Sequence, residues 1–265
     1  MIRKLLLSVS FEEVEETLDV ARREGLGIEV TLYETGWLMG DGAVEDARAM
    51  GQRMAQAGLT ATAHGPLYDL NPGSLDPTIR SYSRECMLRG IEVAGALGAG
   101  KIVYHTFFNP LLPDAVLPGW RELARPIWEE SIEAARRAGI SLCMENSYEP
   151  TAEFFNELLE TFGKGADMCF DPAHVHLYSR DGQSSWVVTL GHRVNHVHLN
   201  DNAGSSDDHL ALGKGNIPFH SFLEDMCEAC GLDSTVVLEM SVPRAMESLG
   251  YLREMGMWDG SEERS

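Results

Sequence analysis

Short apolar runs of about five residues alternate with amphipathic stretches of about ten to twenty along the whole chain. The runs predict strands over 4–8, 27–32, 60–64, 101–105, 140–145, 166–171, 194–199 and 234–240. The intervening stretches predict helices over 10–25, 44–57, 76–97, 120–138, 151–162, 184–191, 219–230 and 243–254. Local signals support the boundaries. Ser10 and Glu13 are spaced as a capping box, and Asp76-Pro77 pairs a cap with a first-turn proline. Gly25 and Gly98 follow the last periodic residues of their helices. No boundary-like linker, low-complexity stretch or G-x-G-x-x-G divides the chain. Eight strictly alternating strand–helix units therefore predict an α/β fold, one (β/α)8 TIM barrel over 1–265, with 255–265 as a flexible tail.

Composition narrows the function. The chain of 265 residues has 41 Asp plus Glu against 21 Lys plus Arg, a formal net charge of −20. That surface repels nucleic acid and anionic membranes. No apolar run reaches the roughly 18–20 residues that span a bilayer, and the run ending at Val9 is too short for a signal peptide, so a cytoplasmic location is expected. Of five cysteines, Cys143 and Cys169 lie in strand-like runs. Cys227 and Cys230 form a lone C-x-x-C, which is read as one face of an amphipathic helix.

In a barrel of this kind the chemistry lies where the strands end. Strand three ends in His64, strand four in His105, strand five in Glu145 and strand six in Asp171; strand seven carries His196 and His198, and strand eight carries Glu239. A strand-end histidine is commonly a packed core residue. Six consecutive strands ending in potential ligands on one rim make a divalent cation the simplest common partner. His174 follows Asp171 by one turn, and Asp207 and His209 lie in the loop after strand seven. His198 is nearer the rim than His196, which is expected to pack beneath it; Asp201 is expected to support His198.

Several motifs then carry a resemblance: Tyr104-His105, Met144-Glu145-Asn146, Asp171-Pro172-Ala173-His174, the run from His196 to Asp201, the run from His209 to Ile217, and Leu238-Glu239-Met240. Together they resemble the xylose-isomerase-like TIM barrels, which include sugar isomerases and epimerases, inosose-processing enzymes and endonuclease IV. In the isomerase and epimerase branch, the resemblance implies one metal held by Glu145, Asp171, His198 and Glu239. In endonuclease IV it implies three zincs, using in addition His64, His105, His174, Asp207 and His209. All nine residues are present.

Basic residues separate the two branches. No Lys or Arg occurs between Arg23 and Arg48, or over 64–79, 102–120, 145–163 and 198–213; only Arg180 and Lys214 are candidates near the rim. A duplex-gripping protein neutralises several phosphates with such side chains. The expectation is therefore a divalent-metal-dependent isomerase or epimerase (Mn2+, Mg2+, Co2+ or Zn2+) acting on a small, uncharged keto-sugar or polyol. Abstraction of a proton next to a carbonyl would give a metal-stabilised enediolate, with Glu145 and Glu239 as acid and base. His64, His105, His174, Trp37, Phe107 and Lys214 are the expected substrate contacts. The aromatic residues could instead seal the barrel top or an oligomer contact. The alternatives are an endonuclease IV-like abasic-site hydrolase and a dehydratase or lyase acting on an inosose-like substrate.

Overall fold

The computed structural model describes residues 1–162, 165–230 and 234–260. Eight parallel strands close into a barrel in chain order: β1 (Lys4–Ser10), β2 (Gly27–Thr31), β3 (Ala61–His64), β4 (Lys101–His105), β5 (Ser141–Glu145), β6 (Asp167–Phe170), β7 (Val194–Leu199) and β8 (Thr235–Leu238). β8 pairs back onto β1 from Lys4↔Thr235 to Leu7↔Leu238. The helices are α1 (Val14–Glu24), α2 (Thr35–Leu38), α3 (Ala43–Gln56), α4 (Pro77–Leu97), α5 (Leu117–Arg137), α6 (Ala152–Phe162), α7 (Pro172–Tyr178), α8 (Gln183–Leu190), α9 (Phe219–Cys230) and α10 (Val242–Glu254). The (β/α)8 architecture expected from the periodicity is thus the observed one.

The local signals act as read, with additions. The Ser10 amide and hydroxyl both donate to Glu13 Oε2, at 3.0 and 2.7 Å, and a single 3-10 turn precedes α1. Asp76 Oδ1 accepts the Thr78 amide at 2.7 Å, and Gly98 ends α4 with φ 79°. α5 begins at Leu117, before the expected position, because Pro118 fits the first helical turn. Two short helices were not anticipated. α2 and α7 lie in the loops after β2 and β6, where the sequence shows too few residues for a clear period.

Strand alternation builds two cores. Residues such as Leu142 and Met144 face outward into the large apolar layer between barrel and helices. On the inner face, Val103, Cys143 and Cys169 form a separate small cluster. Two residues further along the chain stand His105 and Glu145, which end β4 and β5, and Asp171, just past β6. Within the expected tail, the Met257 carbonyl accepts the Ile2 amide at 2.9 Å and Trp258 is buried, while 261–265 lie outside the described residues. Cys227 is a free, half-buried thiol on α9; the side chain of Cys230 lies outside the described residues. No described helix is long and apolar enough to cross a membrane.

Candidate active site

The site is built from strand ends that local hydrogen bonds hold in place. Asn146, just past β5, grips the backbone of Asp171: its Oδ1 accepts the Asp171 amide at 2.9 Å and its Nδ2 donates to the Asp171 carbonyl at 2.8 Å. Asp171 in turn caps α7. Its Oδ1 accepts the amides of Ala173 and His174 at 2.6 and 2.9 Å, while Pro172 at the first position needs no acceptor. Asp171 Oδ2 accepts from Asn200 Nδ2 at 3.0 Å. The first turn of α7 carries His174, whose Nδ1 lies 2.9 Å from the Asn146 carbonyl.

Glu145 is the hub. Its Oε2 lies 3.1 Å from His64 Nε2 and 3.3 Å from His105 Nε2; its Oε1 lies 3.1 Å from His198 Nδ1. Glu239 Oε2 is 3.3 Å from the same His198 nitrogen. Asp207 Oδ2 stands 3.3 Å from both His174 Nε2 and His209 Nε2. All nine candidate ligands therefore form one continuous network at the rim. Ligand atoms of Glu145, Asp171, His198 and Glu239 all lie within 4.8 Å of one another, as do those of His64, His105 and Glu145.

The electrostatics of this cluster suit a cation. Burial works against ionisation of Glu145, but His198 and His105 outweigh it and hold its carboxyl well below the usual range. Burial raises Asp171 to about 6, with Glu145, Glu239 and Asp207 adding like-charge repulsion against the attraction of His174. Burial also opposes the charge on His198 and His174, yet surrounding acidic groups raise both well above a free imidazole. His209 is raised to about 10, burial being outweighed chiefly by Asp207 and Glu239. Glu239 Oε2 and Asp207 Oδ1 are buried without a hydrogen-bond partner among the described residues. Crowded carboxylates, imidazoles and orphaned oxygens make a donor set that fits a divalent cation.

Above the network opens a cavity of about 540 Å³. His105, His174, Asp207, His209 and Glu239 form part of its floor, with walls from Tyr33, Tyr68, Phe107, Phe108, Tyr148 and Tyr178. No Lys or Arg is among its described lining residues. The three described non-glycine residues with positive φ, Asp69 and Phe107 at 60° and His209 at 46°, all line it. Backbone strain of that kind gathers where surrounding structure enforces a functional geometry.

Three expectations are corrected. Trp37 stacks on Phe11 at 4.2 Å and donates to Asp46 at 3.2 Å, because α2 turns it back against the 3-10 turn before α1 and against α3 rather than into the cavity. Lys214 extends into solvent and pairs with Glu247 at 2.7 Å. Asp201 does not support His198. Its Oδ1 accepts the amides of Asn202 and Ile217, at 2.9 and 3.3 Å, and its Oδ2 those of Gly213 and Gly215, at 3.0 and 2.8 Å. This carboxylate folds the 201–217 loop that carries Asp207 and His209. A Cβ on Gly215 would stand 2.1 Å from the Asn202 carbonyl oxygen, so the close wrap needs glycine there.

One buried residue went unread: Glu29 on β2, whose oxygens lie 2.8 Å from His196 Nε2 and 2.9 Å from His198 Nε2. A lone charge between Ile28 and Val30 was the available signal.

Residues 12–256 match the xylose isomerase-like TIM barrels. The chain belongs to that family. It is 28% identical over 200 residues to the uncharacterized protein MJ1311 of Methanocaldococcus jannaschii, covering 72% of this chain and 68% of that one. It is 24% identical over 221 residues to the fructoselysine 3-epimerase of Shigella flexneri, covering 77% and 76%. The TTHB071 protein from Thermus thermophilus, solved after soaking with ZnCl2, superposes with a TM-score of 0.80 at 28% identity, covering 97% of this chain and 99% of that one.

Proposed function

We propose that this member of the xylose isomerase-like barrels is a divalent-metal-dependent isomerase or epimerase of a small keto-sugar or polyol that carries no phosphate. Family membership and its epimerase relatives make it an enzyme of the sugar isomerase and epimerase kind. The observation that carries the finer reading is the pair of carboxylates flanking one imidazole: Glu145 and Glu239 stand 3.1 and 3.3 Å from His198 Nδ1. Glu145, Asp171, His198 and Glu239 would hold the cation, Mn2+, Mg2+, Co2+ or Zn2+. When bound there, a divalent ion supplies Lewis-acid polarisation of a substrate carbonyl.

The chain's own residues do the rest. Glu239 faces the cavity and takes the proton from the carbon beside the carbonyl. Glu145, on the other side of His198, passes a proton received at Oε2 from the His64 imidazolium to the opposite face or the neighbouring carbon, and exchange with solvent then resets Glu239 and His64. Inversion gives an epimer; return to the neighbour gives an isomer. His64 and His105 stand 3.1 and 3.3 Å from Glu145 Oε2, and His105 also lines the cavity. His174 stands at the floor, within reach of a substrate hydroxyl, and Phe107 forms part of the wall. A phosphate would find no Lys or Arg counter-charge among the described lining residues, whereas a sugar ring can stack on the tyrosines.

The test is exchange of substrate carbon-bound protons with deuterium oxide, followed by NMR. The panel holds free ketoses, keto-inositols and their phosphates, each with the four metals. Exchange in a free ketose or keto-inositol, accompanied by a new isomer, is expected. A panel in which nothing exchanges would sink the reading.

A specific observation keeps a second reading in play. His64 and His105 against Glu145, and His174 and His209 against Asp207, provide ligands for further cations, as a zinc-dependent abasic-site hydrolase would need. Nicking of an abasic-site oligonucleotide well above a free-zinc control, with three bound zincs per chain, would put this reading first.

A further inference from the structure

The mouth of the cavity carries features that proton transfer at its floor does not use. Four tyrosines on its wall stand in two edge-to-face pairs. Tyr33 and Tyr68, from the loops after β2 and β3, have ring centroids 5.6 Å apart; Tyr148 and Tyr178, after β5 and at the end of α7, have theirs 4.7 Å apart. Tyr68, Tyr148 and Tyr178 remain 62, 43 and 38% exposed. Wet rings gathered around a concave site are surface for a ligand to cover.

Charge separates the kinds of ligand. Apart from histidines, the charged residues among the described lining are all acidic: Asp69, Asp207 and Glu239. Asp207 and Glu239 face the imidazoles of the floor. Asp69 does not. It is exposed beside Tyr68, is held at φ 60°, and has no hydrogen-bond or ion-pair partner among the described residues. The arginines of the helices that start at the rim are engaged elsewhere. Arg80 of α4 donates to the carbonyls of Ser74 and Leu75, and Arg244 of α10 to those of Asp208 and His209; neither lines the cavity. Aromatic walls alone would take a neutral apolar group as readily as a cation. Such a group would strip water from the Asp69 carboxylate and give nothing back. A positive group gains from the carboxylate, from the ring faces and from the field of a chain with net charge −20.

We propose that the substrate is a keto-sugar bearing a positively charged substituent. Its carbonyl end lies on the floor beside Glu239, and its cationic group sits at the mouth on Tyr68 with Asp69 as counter-charge. This rests on the reading of the site as that of a sugar isomerase or epimerase and specifies its substrate class.

The experiment uses two probes of one shape: 6-deoxy-6-trimethylammonio-D-fructose, and the isostere with tert-butyl in place of trimethylammonium. Their Kd values for the zinc-loaded full-length chain are measured by calorimetry. The cation should bind about 5–30-fold tighter than the isostere, and that ratio should fall as NaCl rises from about 20 to about 500 mM. Asp69→Asn alone should at least halve the ratio, and Asp69→Asn combined with Tyr68→Leu should bring it close to one. Asn tolerates the positive φ at position 69 and Leu keeps apolar bulk at 68; circular dichroism and melting check that the variants fold. An isostere that binds as tightly as the cation overturns the proposal. So does a ratio that survives in the double variant, or binding of neither probe. Exchange of the C3 proton in deuterium oxide, followed in the same samples, separates this inference from the reading beneath it. A charge preference without exchange refutes the isomerase or epimerase reading and keeps the cation subsite. Exchange without a charge preference keeps that reading and overturns this one.

Discussion

The carboxylate of Asp201 offers a direct test of how the rim loop is held. It accepts four backbone amides: Asn202 and Ile217 on Oδ1, and Gly213 and Gly215 on Oδ2. Asp201→Asn preserves shape but leaves a single acceptor oxygen. Whichever way the amide turns, its NH2 faces two backbone donors that have lost their partner. Each buried unsatisfied donor costs roughly 1–3 kcal/mol; Asn202 and Ile217 are buried but Gly213 is exposed and Gly215 half-buried, so the low end, about 2 kcal/mol, is expected. The penalty falls on the 201–217 loop, because β7 and β8 retain their own ladder. Hydrogen exchange resolved to single amides is the assay. A local cost of about 2 kcal/mol corresponds to roughly 30-fold faster exchange, and that is the minimum expected at Gly213 and Gly215. Zinc binding by the strand-borne Glu145, Asp171, His198 and Glu239 should survive, while any further ion held by Asp207 and His209 should be lost. Protection at both glycines within threefold of wild type would refute the reasoning.

Other outcomes follow from the same geometry. Glu239→Gln and Glu145→Gln should each lower substrate proton exchange by roughly 10²–10⁴-fold with the fold retained; exchange at the wild-type rate in either variant removes that residue from the proton transfer. Surrounding acidic groups raise His198 and His174 well above the ordinary imidazole value, and His209 to about 10, in the metal-free chain. A cation takes only the deprotonated nitrogen, so zinc binding should release protons and strengthen as pH rises; calorimetry in buffers of different ionisation enthalpy that finds no release contradicts this. In the metal-free chain, the stability due to His209 is fully present below pH 6.5 and is lost as pH rises through about 10; melting curves across that range would show it. Lys214→Ala should leave KM unchanged, because Lys214 pairs with Glu247 and does not line the cavity; a tenfold rise in KM would restore it as a substrate contact.

What the sequence determined by itself is local. Alternation along each strand fixed which residues share the barrel's inner face, and strand ends named His64, His105, Glu145 and His198 as neighbours on one rim. Asp171 and Glu239 fell one residue past their strands, close enough for the same logic. Asp76 and Ser10 announced their helix starts because capping is decided within four residues. Contacts set by the closed barrel and by loop paths were beyond its reach. Glu29 on β2 meets His196 and His198 on β7 across the barrel interior, a pairing that depends on closure and strand stagger. Trp37 and Lys214 sit near rim elements in sequence, yet α2 and the Asp201-bound loop turn them toward α3 and Glu247. Side-chain period is a property of the backbone and can be read one strand at a time. The direction of a loop side chain is settled only when distant amides and carboxylates find one another in the folded chain.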